Sequence, residues 1–324
     1  GLFIEENVRI YKKIISSGKM DKMLKERLSF IKNILNKFKP NIFITEYFPF
    51  GQEFWTFELP YVLRYLKDNF SCKIVGSCGY LSCIEHTYNY IKEFYEILLI
   101  HSPNEFLKDY SLYLHRRDTE ELNKVFLDFS DKIYSTGFVL EKFRVSAWEN
   151  LRNKYLNTQY KKLILVSRGG GIVNKKIILA SIMTAKRNKD LFFIICCGPA
   201  TTSKEFKEYK KFSSDIKNLK IARFIIPHHF DSYLKAADLC INMAGYNTTV
   251  KLIYHGKKTI LIPYYTSEQR WRADLVSRYL PSRIIPEKEL KVSLLEKKIR
   301  ELLDEKDKSV RINKEWFSGI SNTI

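Results

Sequence analysis

The stretch KKLILVSRGGGIVNKKIILASIMTAKRNKDLFFIICCGP, residues 161–199, determines the expected architecture of the second half of the chain. It begins with an apolar run at 161–167, turns at three consecutive glycines, continues as a predicted helix to about Arg187 and ends in a second apolar run at 191–197. Two strands that are joined through a helix pair in parallel. The stretch therefore predicts a βαβ unit of a parallel α/β sheet.

The same alternation of apolar runs and helices extends over the rest of the chain. A length of 324 residues favours two cores rather than one. We predict two doubly wound Rossmann-like domains, at 1–140 and 161–324, joined by a linker at 141–160. The remaining predicted strands are 41–47, 72–78, 96–103, 131–139, 218–225, 238–244 and 258–263, and helices are predicted at 20–38, 58–70 and 248–255.

The charge balance favours acidic partners. Lys and Arg total 55 against 36 acidic residues, a formal net charge of +19. Such an excess attracts anionic membrane surfaces, phosphorylated ligands and nucleic acids. The alternative is a compositional bias, because the lysines are spread over many predicted helices and form no single basic tail. No RNA- or DNA-binding pattern accompanies the charge, so nucleic acid is not an expected partner.

The cysteines and the apolar runs bear on the compartment. None of the six cysteines forms a CxxC pair, so we expect neither a metal site nor a disulfide framework. No run of 18 uncharged apolar residues predicts a membrane span, and the first residues show no signal-type apolar block. A cytoplasmic protein is the expectation, and the positive charge adds a peripheral position at the inner face of the membrane.

Two glycine-bearing turns predict a diphosphate site. The first follows the strand ending at Ser167, and the second, Met243-Ala244-Gly245, follows another strand and precedes a helix that Asn247 or Thr248 could cap. Backbone N–H groups at such turns and at helix N-termini bind anions. Each turn alone is equally typical of a tight turn or an ordinary cap. Their joint position at strand carboxyl ends favours a shared crevice.

A third segment, Ile226 to Phe230, follows a predicted strand. Its adjacent histidines, His228 and His229, point in opposite directions in an extended loop and have no third ligand nearby in sequence. We therefore expect no metal there, and predict a loop, including Phe230, that borders the base of a bound nucleotide.

The order of these motifs resembles a known family. Residues 236–276 look like the nucleotide-sugar half of family 28 glycosyltransferases, and they resemble most a group of predicted glycosyltransferases related to the lipid II-forming N-acetylglucosaminyltransferase. Several shorter motifs fall in the same order as in that group. They are TEYFPFG at 45–51, IHSP at 100–103, YSTGFV at 134–139, SRGGG at 167–171 and CGP at 197–199.

The resemblance implies the GT-B architecture, in which two Rossmann-like domains face a cleft. It implies a nucleoside diphosphate sugar, commonly UDP-linked, on the C-terminal domain, an acceptor on the N-terminal domain, and no cofactor. Together with the basic character of the chain, the resemblance also implies a lipid-linked acceptor. The residues implied around the diphosphate are Ser167, Arg168, Gly169, Gly170, Gly171, Gly198, Gly245, Tyr246, Asn247, Thr248 and Thr249; Glu268 and Gln269 would approach the donor sugar.

Three departures from the family pattern stand out. The family's first strand and glycine-rich loop have no counterpart, so the N-terminal domain is expected to be incomplete in this chain. Gln52 replaces an Arg that follows FPFG in the family. Lys251 stands where the family has a Glu that grips the ribose. We expect Lys251 to donate to phosphate or ribose oxygens, the alternative being a solvated side chain.

We interpret the chain as a metal-independent glycosyltransferase. An inverting enzyme needs a base for the acceptor hydroxyl, and Glu46, at the end of a predicted strand, is the candidate. The alternative for Glu46 is a carboxylate that orients the following turn. Three other functions remain open at this point: a sugar-nucleotide 2-epimerase on the same architecture, a non-catalytic nucleotide-sugar-binding protein and a nucleic-acid binder.

Overall fold

Two parallel sheets organise the molecule, each in its own unit. A computed structural model describes residues 19–51, 53–81, 86–107, 113, 116–140, 148–156, 159–170, 173–264, 266–306 and 312–323. The N-terminal unit comprises residues up to Val139 together with Glu315–Ile324, and the C-terminal unit comprises Leu140–Lys314.

The sheet of the N-terminal unit has the order β1-β2-β3-β4, and every described pairing is parallel. Helices alternate with the strands because the apolar residues of each helix pack onto one face of the sheet; Val62, Leu63 and Leu66 are such residues. The elements are α1 (Lys19–Phe38), β1 (Ile42–Glu46), α2 (Leu59–Asn69), β2 (Lys73–Cys78), α3 (Thr87–Phe94), β3 (Ile97–Ile100), α4 (Asn104–Leu107), α5 (Arg116–Asp128) and β4 (Ile133–Ser135), with a 3-10 turn at Glu53–Phe57.

The sheet of the C-terminal unit has six strands in the order β10-β9-β8-β5-β6-β7, again with parallel pairings. Its elements are α6 (Trp148–Tyr155), β5 (Lys162–Ser167), α7 (Lys175–Arg187), β6 (Leu191–Cys196), α8 (Ser203–Phe212), β7 (Leu219–Ala222), α9 (Pro227–Ala236), β8 (Leu239–Asn242), α10 (Tyr246–His255), β9 (Thr259–Leu261), α11 (Ser267–Tyr279), β10 (Ser282–Ile284) and α12 (Val292–Asp304); α13 (Gly319–Thr323) belongs to the N-terminal unit.

Buried aliphatic side chains fill the core of the C-terminal unit. Ile164, Val166 and Ile195 on the strands meet Ile177 on α7 and Leu295 on α12, and all five are almost fully buried. Continuous apolar runs such as LFFIIC in β6 are typical of strands that are covered on both faces. The α/β class with parallel sheets is thus confirmed, and the short strand β10 is the one described strand that the sequence did not predict.

The end of the chain lies in a different unit from the one predicted. Residues 315–324 were predicted in the C-terminal domain, whereas they pack within the N-terminal unit. The Trp316 ring lies 4.7 Å from that of Phe106, and the Trp316 carbonyl accepts a hydrogen bond of 2.6 Å from the Phe138 amide. A Cβ on Gly319 would stand 2.6 Å from the Phe138 carbonyl, so only glycine permits this contact.

The segment predicted as a linker contains a helix of the C-terminal unit. Tyr155 on α6 stacks on Phe192 at 4.9 Å, and Arg152 donates to the Ala236 carbonyl at 2.6 Å. These contacts place 148–155 in the C-terminal unit, while 141–147 lie outside the described residues. None of the described helices combines the length and the apolar character that a membrane crossing requires.

Candidate functional site

The strand order of the C-terminal unit creates a switch point beside β5. From β5 the chain proceeds to β6 and β7 on one side, then returns to β8 on the other side and continues outward to β9 and β10. Ser167, the last residue of β5, is in register with Cys196 of β6 and Asn242 of β8, so these strands end level. Open parallel sheets bind ligands at such a point, because the loops on its two sides diverge and leave a crevice.

The first glycine loop leaves the end of β5 with its backbone open to solvent. Gly169 has a φ of +64°, and its amide donates to the Ser167 hydroxyl at 3.3 Å. The Gly170 carbonyl accepts from Ala200 at 3.0 Å, which ties this loop to the turn that follows Gly198. An added Cβ at Gly169 or Gly170 would meet no described atom within 4 Å. The loop can therefore approach a ligand closely.

This loop does not lead directly into a helix, in contrast to the sequence prediction. Helix α7 begins at Lys175 and is capped by Asn174, whose side chain accepts from the Ile177 amide at 3.3 Å. Gly171 lies outside the described residues. The part of the chain on this side that can present backbone amides to a ligand is thus the exposed loop, because the first turn of α7 is already capped by Asn174.

Arg168 was predicted beside the diphosphate, but the structure turns it into the interior. Its guanidinium is buried and donates to Glu205 at 2.9 Å, Tyr209 at 2.9 Å and Thr201 at 3.1 Å. A buried cation with a buried carboxylate partner is a structural group. Arg168 consequently fixes the base of the first loop to α8 and has the role of a positioning residue.

The second glycine loop leads directly into helix α10. Its N-cap is Gly245, so the predicted caps Asn247 and Thr248 instead lie within the first turn, after Tyr246. Thr249 donates its amide to the Gly245 carbonyl at 2.9 Å. The amides of the three residues before Thr249 precede the first intrahelical bond and point out of the helix end, where an anion is favoured.

Polar side chains hold the second loop in place. Asn242 accepts from the Ala244 amide at 2.9 Å, and Ala244 has a φ of +57°. The buried Arg272 donates to the Ala244 carbonyl at 2.8 Å and forms an ion pair with Glu268. Glu268, predicted at the donor sugar, thus also stabilises the loop through Arg272.

Gln269, the other residue predicted at the donor sugar, caps a turn. Its side-chain oxygen accepts from the Tyr264 amide at 2.8 Å, and its own amide donates to the Thr266 hydroxyl at 3.3 Å. The Thr266 hydroxyl thus caps the start of α11, and the Gln269 side chain ties the preceding turn to that helix. The described contacts of Gln269 are therefore with the protein backbone and the capping residue.

Lys251 has a partner within the protein. Its ammonium lies 2.9 Å from the Asp231 carboxylate, and the two side chains are 11% and 4% exposed. The solvated alternative is therefore wrong, whereas the predicted bond from Lys251 to phosphate or ribose oxygens stays a prediction. The pair joins α9 to α10 behind the second loop.

The segment predicted to border the base is helical. Pro227 starts α9, which places His228, His229 and Phe230 in its first turn rather than in an extended loop. Ile226 and His229 help to line a cavity of about 550 Å³ under α6, and no described residue of the two glycine loops lines it. The described residues include no group of three or more His, Cys, Asp or Glu side chains that could hold a metal ion.

The N-terminal unit presents titratable side chains at the carboxyl edge of its own sheet. Glu46 ends β1, is exposed and makes no hydrogen bond with the described residues through its carboxylate. The turn after it is held by Thr45, whose hydroxyl donates to the Phe48 carbonyl at 2.7 Å. The alternative role of Glu46, orienting that turn, thus falls to Thr45.

His101 stands at the same edge and was not singled out from the sequence. Its Nε2 lies 2.8 Å from the Ser77 hydroxyl and its Nδ1 lies 2.8 Å from the Thr136 hydroxyl. Burial lowers the pKa of His101, so the ring is neutral at pH 7. Its position directly after β3, in the IHSP motif, was the available signal. Arg272 and Asp231 carried no such signal, because their partners are distant in sequence.

The sheet order defines the class of fold, a doubly wound α/β domain with a glycine loop on each side of its switch point. Residues 163–319 match the family model of the glycosyltransferase family 28 C-terminal domain. The C-terminal unit is thus similar to that domain over most of its length.

Individual relatives agree with this assignment. The chain is 30% identical over 192 residues to the "UDP-N-acetylglucosamine--N-acetylmuramyl-(pentapeptide) pyrophosphoryl-undecaprenol N-acetylglucosamine transferase" of Thermoanaerobacter sp. (strain X514), a match that covers 57% of this chain and 51% of the relative. The chain thus spans about half the length of the curated relatives it matches.

Solved structures show the fold. MurG of Acinetobacter baumannii superposes with a TM-score of 0.50 at 13% identity, covering 92% of this chain and 72% of that one. The UDP-GlcNAc 2-epimerase of Neisseria meningitidis, solved with bound UDP-GlcNAc, superposes with a TM-score of 0.57 at 14% identity, covering 94% and 80%. The fold is that of GT-B glycosyltransferases, and 2-epimerases share it.

Proposed function

We propose that the protein is a glycosyltransferase that moves a sugar from a nucleoside diphosphate sugar, of the UDP-linked kind, to an acceptor hydroxyl. The observation that carries this proposal is the pair of loops at the switch point. The loop with Gly169 and Gly170 follows β5 and the first turn of α10 follows β8, and these neighbouring strands end level, so backbone amides of both loops can reach one ligand. The match of residues 163–319 to the family 28 C-terminal domain supports the same reaction.

The proposed chemistry requires no metal ion or cofactor. The acceptor oxygen attacks the anomeric carbon, the bond from that carbon to the diphosphate oxygen breaks, and the diphosphate leaves with the electron pair. Amides of the glycine loops and the N-terminus of α10 stabilise the added negative charge. These donors are fixed before the reaction, because Asn242, Arg272 and Arg168 hold the loops from behind.

We assign the acceptor proton to Glu46. Its carboxylate is exposed at the end of β1, whereas both ring nitrogens of His101 already face hydroxyl groups. His101 then acts as a positioning residue that orients Ser77 beside the end of β1, where Glu46 and Ser77 are in register. A base that contacts the acceptor hydroxyl contributes about 10²-fold or more to the rate.

The relatives suggest the partners. The printed name of the Thermoanaerobacter relative describes transfer from UDP-N-acetylglucosamine to a pyrophosphoryl-undecaprenol-linked acceptor. By analogy we propose a lipid-linked acceptor and a cytoplasmic position at the inner face of the membrane. The net charge of +19 supports attraction to an anionic bilayer.

Calorimetric titration of the full chain with UDP, GDP, ADP and dTDP sugars tests donor binding, and product analysis of the bound sugar tests the reaction. The proposal expects tight binding of one UDP-sugar and slow release of UDP with an unchanged sugar configuration at C2. A 2-epimeric product would establish the epimerase instead. Binding without turnover in the presence of lipid-linked acceptors would indicate a non-catalytic binding protein, and absence of binding by all four nucleotides would refute the proposal.

Co-sedimentation with vesicles tests the membrane part. We expect binding to vesicles that contain phosphatidylglycerol, weakened by raised salt because screening shortens the reach of surface charges. Equal binding to neutral phosphatidylcholine vesicles would contradict the electrostatic attraction.

A further inference from the structure

A second cavity lies at the amino edge of the C-terminal sheet, the edge opposite the glycine loops. It has a volume of about 670 Å³ and opens beside Lys162 at the start of β5, Asp238 just before β8 and Lys258 just before β9. We refer to it as the basic cleft. The cations that line it are Arg152, Lys162, Lys235, Lys257, Lys258 and Lys306, and the carboxylates are Asp238 and Glu305.

Hydrogen bonds to the protein hold the inner cations of the cleft in place. The Lys257 ammonium donates to the carbonyls of Lys235 at 2.6 Å and Ala237 at 2.8 Å, at the C-terminal end of α9. Arg152 donates to the neighbouring Ala236 carbonyl at 2.6 Å and to Asp238 at 3.2 Å. These bonds fix the inner cations in place, so little side-chain entropy is lost when a ligand binds.

The positive charge is not balanced within the cleft. Six cations face two carboxylates, which leaves an excess of four positive charges. Asp238 is already shared between Arg152 and Lys162, whose ammonium lies 3.5 Å away. Lys162 and Lys306 are the exposed cations of the lining, so we take them to mark the mouth of the cleft.

The pKa values of two groups in the cleft, His255 and Lys257, are lowered. Burial, followed by the charges of Lys257, Lys235 and Lys251, lowers the pKa of His255 to about 4. The pKa of Lys257 is also lowered, chiefly by burial, with Arg152 and Lys235 adding to the effect and Cys240 and Asp238 opposing it. Burial is the larger cause of both shifts, and the neighbouring cations add to them, so a bound anion would offset only the part that the cations contribute.

We propose that the basic cleft binds a phosphate-bearing anion at a site separate from the nucleotide crevice. A phosphate fits the observations because its negative charge offsets part of the excess and its oxygens accept from several ammonium groups at once. The neutral imidazole of His255 can add a further donor. The phosphate can belong to a soluble compound or to the headgroup of a lipid, and both sources present the same chemistry. This inference does not depend on the proposed transfer reaction.

The test compares two double variants of the full chain. Lys162→Gln/Lys306→Gln removes two cations at the mouth of the cleft and leaves the carbonyl-bound Arg152 and Lys257 intact. Lys204→Gln/Lys207→Gln on the exposed face of α8 removes the same charge elsewhere in the unit. Each is titrated calorimetrically with inorganic phosphate and sedimented with vesicles of phosphatidylglycerol and of phosphatidylcholine. Lys306→Gln alone serves if the cleft variant has a lowered unfolding midpoint.

The proposal expects phosphate affinity to fall about tenfold in the cleft variant, corresponding to the loss of one charge-assisted bond, and to stay unchanged in the α8 variant. Gly170→Val should leave this affinity unchanged, which separates the cleft from the nucleotide crevice. Vesicle binding that only the cleft variant loses assigns the phosphate to a lipid headgroup, and phosphate binding without vesicle binding assigns it to a soluble compound. Equal affinities in the two double variants, or loss of phosphate binding in Gly170→Val, would overturn the proposal.

Discussion

The two sheets end in edges of opposite chemical character. At the carboxyl edge of the C-terminal sheet, the exposed groups are backbone amides of Gly169, Gly170 and the first turn of α10, while the charged side chains turn inward. At the corresponding edge of the N-terminal sheet, the groups are side chains, Glu46 and the hydroxyl-bonded His101. One fold pattern thus produces a backbone edge and a side-chain edge.

The difference follows from what each edge must do in the proposed reaction. Backbone amides do not titrate, so they stabilise a diphosphate equally at any pH and approach it closely where no Cβ intervenes. Proton transfer, in contrast, requires a group that changes its charge near the working pH. The predictions below test this division, from the largest expected effect to the smallest.

The largest effect should come from filling the backbone edge. Gly170→Val places a branched side chain where no described atom lies within 4 Å, and Gly170 does not have the positive φ of Gly169. Folding should therefore be preserved while the ligand is excluded. We expect the affinity for the UDP-sugar to fall at least about a hundredfold, since two or more amide bonds to a charged group are lost. Calorimetry measures it.

Gly170→Ala is the matched control. A single methyl group adds less bulk at the same position, so its affinity should lie between those of the parent protein and Gly170→Val. Unchanged affinity in Gly170→Val, with an unchanged unfolding midpoint, would show that the diphosphate does not approach the first loop.

The second prediction concerns the side-chain edge. Glu46→Gln keeps the size of the side chain but removes its basicity, so kcat should fall about a hundredfold with little change in nucleotide affinity. His101→Gln should have a smaller effect, because the His101 ring orients Ser77 and does not contact the acceptor. Steady-state kinetics across pH 5 to 8 compares the two variants.

The outcome also identifies the base. If His101→Gln loses more activity than Glu46→Gln, and the acid limb of the pH profile disappears only in the His101 variant, the proton goes to His101. The lowered pKa of His101 would then place that limb below the ordinary value for histidine, because the neutral ring is the active form.

The parallel fold was predictable because apolar runs and helical segments alternate along the chain, and these runs form strands and helices in the structure. Strand β5 was predicted at 161–167 and lies at Lys162–Ser167. The destination of residues 315–324 was not predictable. Their position depends on contacts of Trp316 with Phe106 and Phe138, which are far away in the sequence.

Prediction of the candidate site was limited in the same way, by contacts between residues that are far apart in the sequence. Glycines that precede a helix can be read from the sequence, so the second loop was located correctly, although its helix starts two residues earlier than predicted. The direction of a charged side chain cannot be read in this way. Arg168 and Lys251 were assigned to the ligand because of their neighbours in the sequence, whereas Glu205 and Asp231 bind them in the structure. The direction of such a side chain depends on which groups are buried beside it, and that depends on how the whole unit folds.

The third prediction tests this inward orientation. Lys251→Met leaves the Asp231 carboxylate buried without its ion-pair partner, which should cost about 3 kcal/mol of unfolding free energy. Lys186→Met breaks a pair with Asp215 whose side chains are 54% and 62% exposed, and it should cost less than about 0.5 kcal/mol. Urea denaturation of both variants measures the difference.

Nucleotide titration of Lys251→Met complements the stability measurement. If Lys251 only joins α9 to α10, it does not contact the nucleotide. The folded variant should then bind the nucleotide within about twofold of the parent affinity, a difference of about 0.4 kcal/mol in binding free energy. Loss of affinity without loss of stability would instead return Lys251 to the ligand site, as the sequence suggested.

The smallest expected effect is the pH dependence contributed by His255, at the amino edge of the C-terminal sheet. Its pKa is about 4 in the folded protein and about 6.5 when unfolded, so the unfolded chain binds the proton more readily between these values. Its contribution to stability is therefore fully present above about pH 6.5 and is lost as the pH falls toward 4. Between pH 7 and 6 the loss should be below about 1 kcal/mol, and His255→Gln should remove it.

Urea denaturation in a phosphate-free buffer measures the difference in unfolding free energy between parent and variant. Added phosphate should reduce this difference if an anion in the basic cleft offsets the charges of Lys257, Lys235 and Lys251, because the pKa of His255 then rises toward its unfolded value. A pH dependence that is identical in parent and variant would show that burial and these lysines do not lower the pKa of His255.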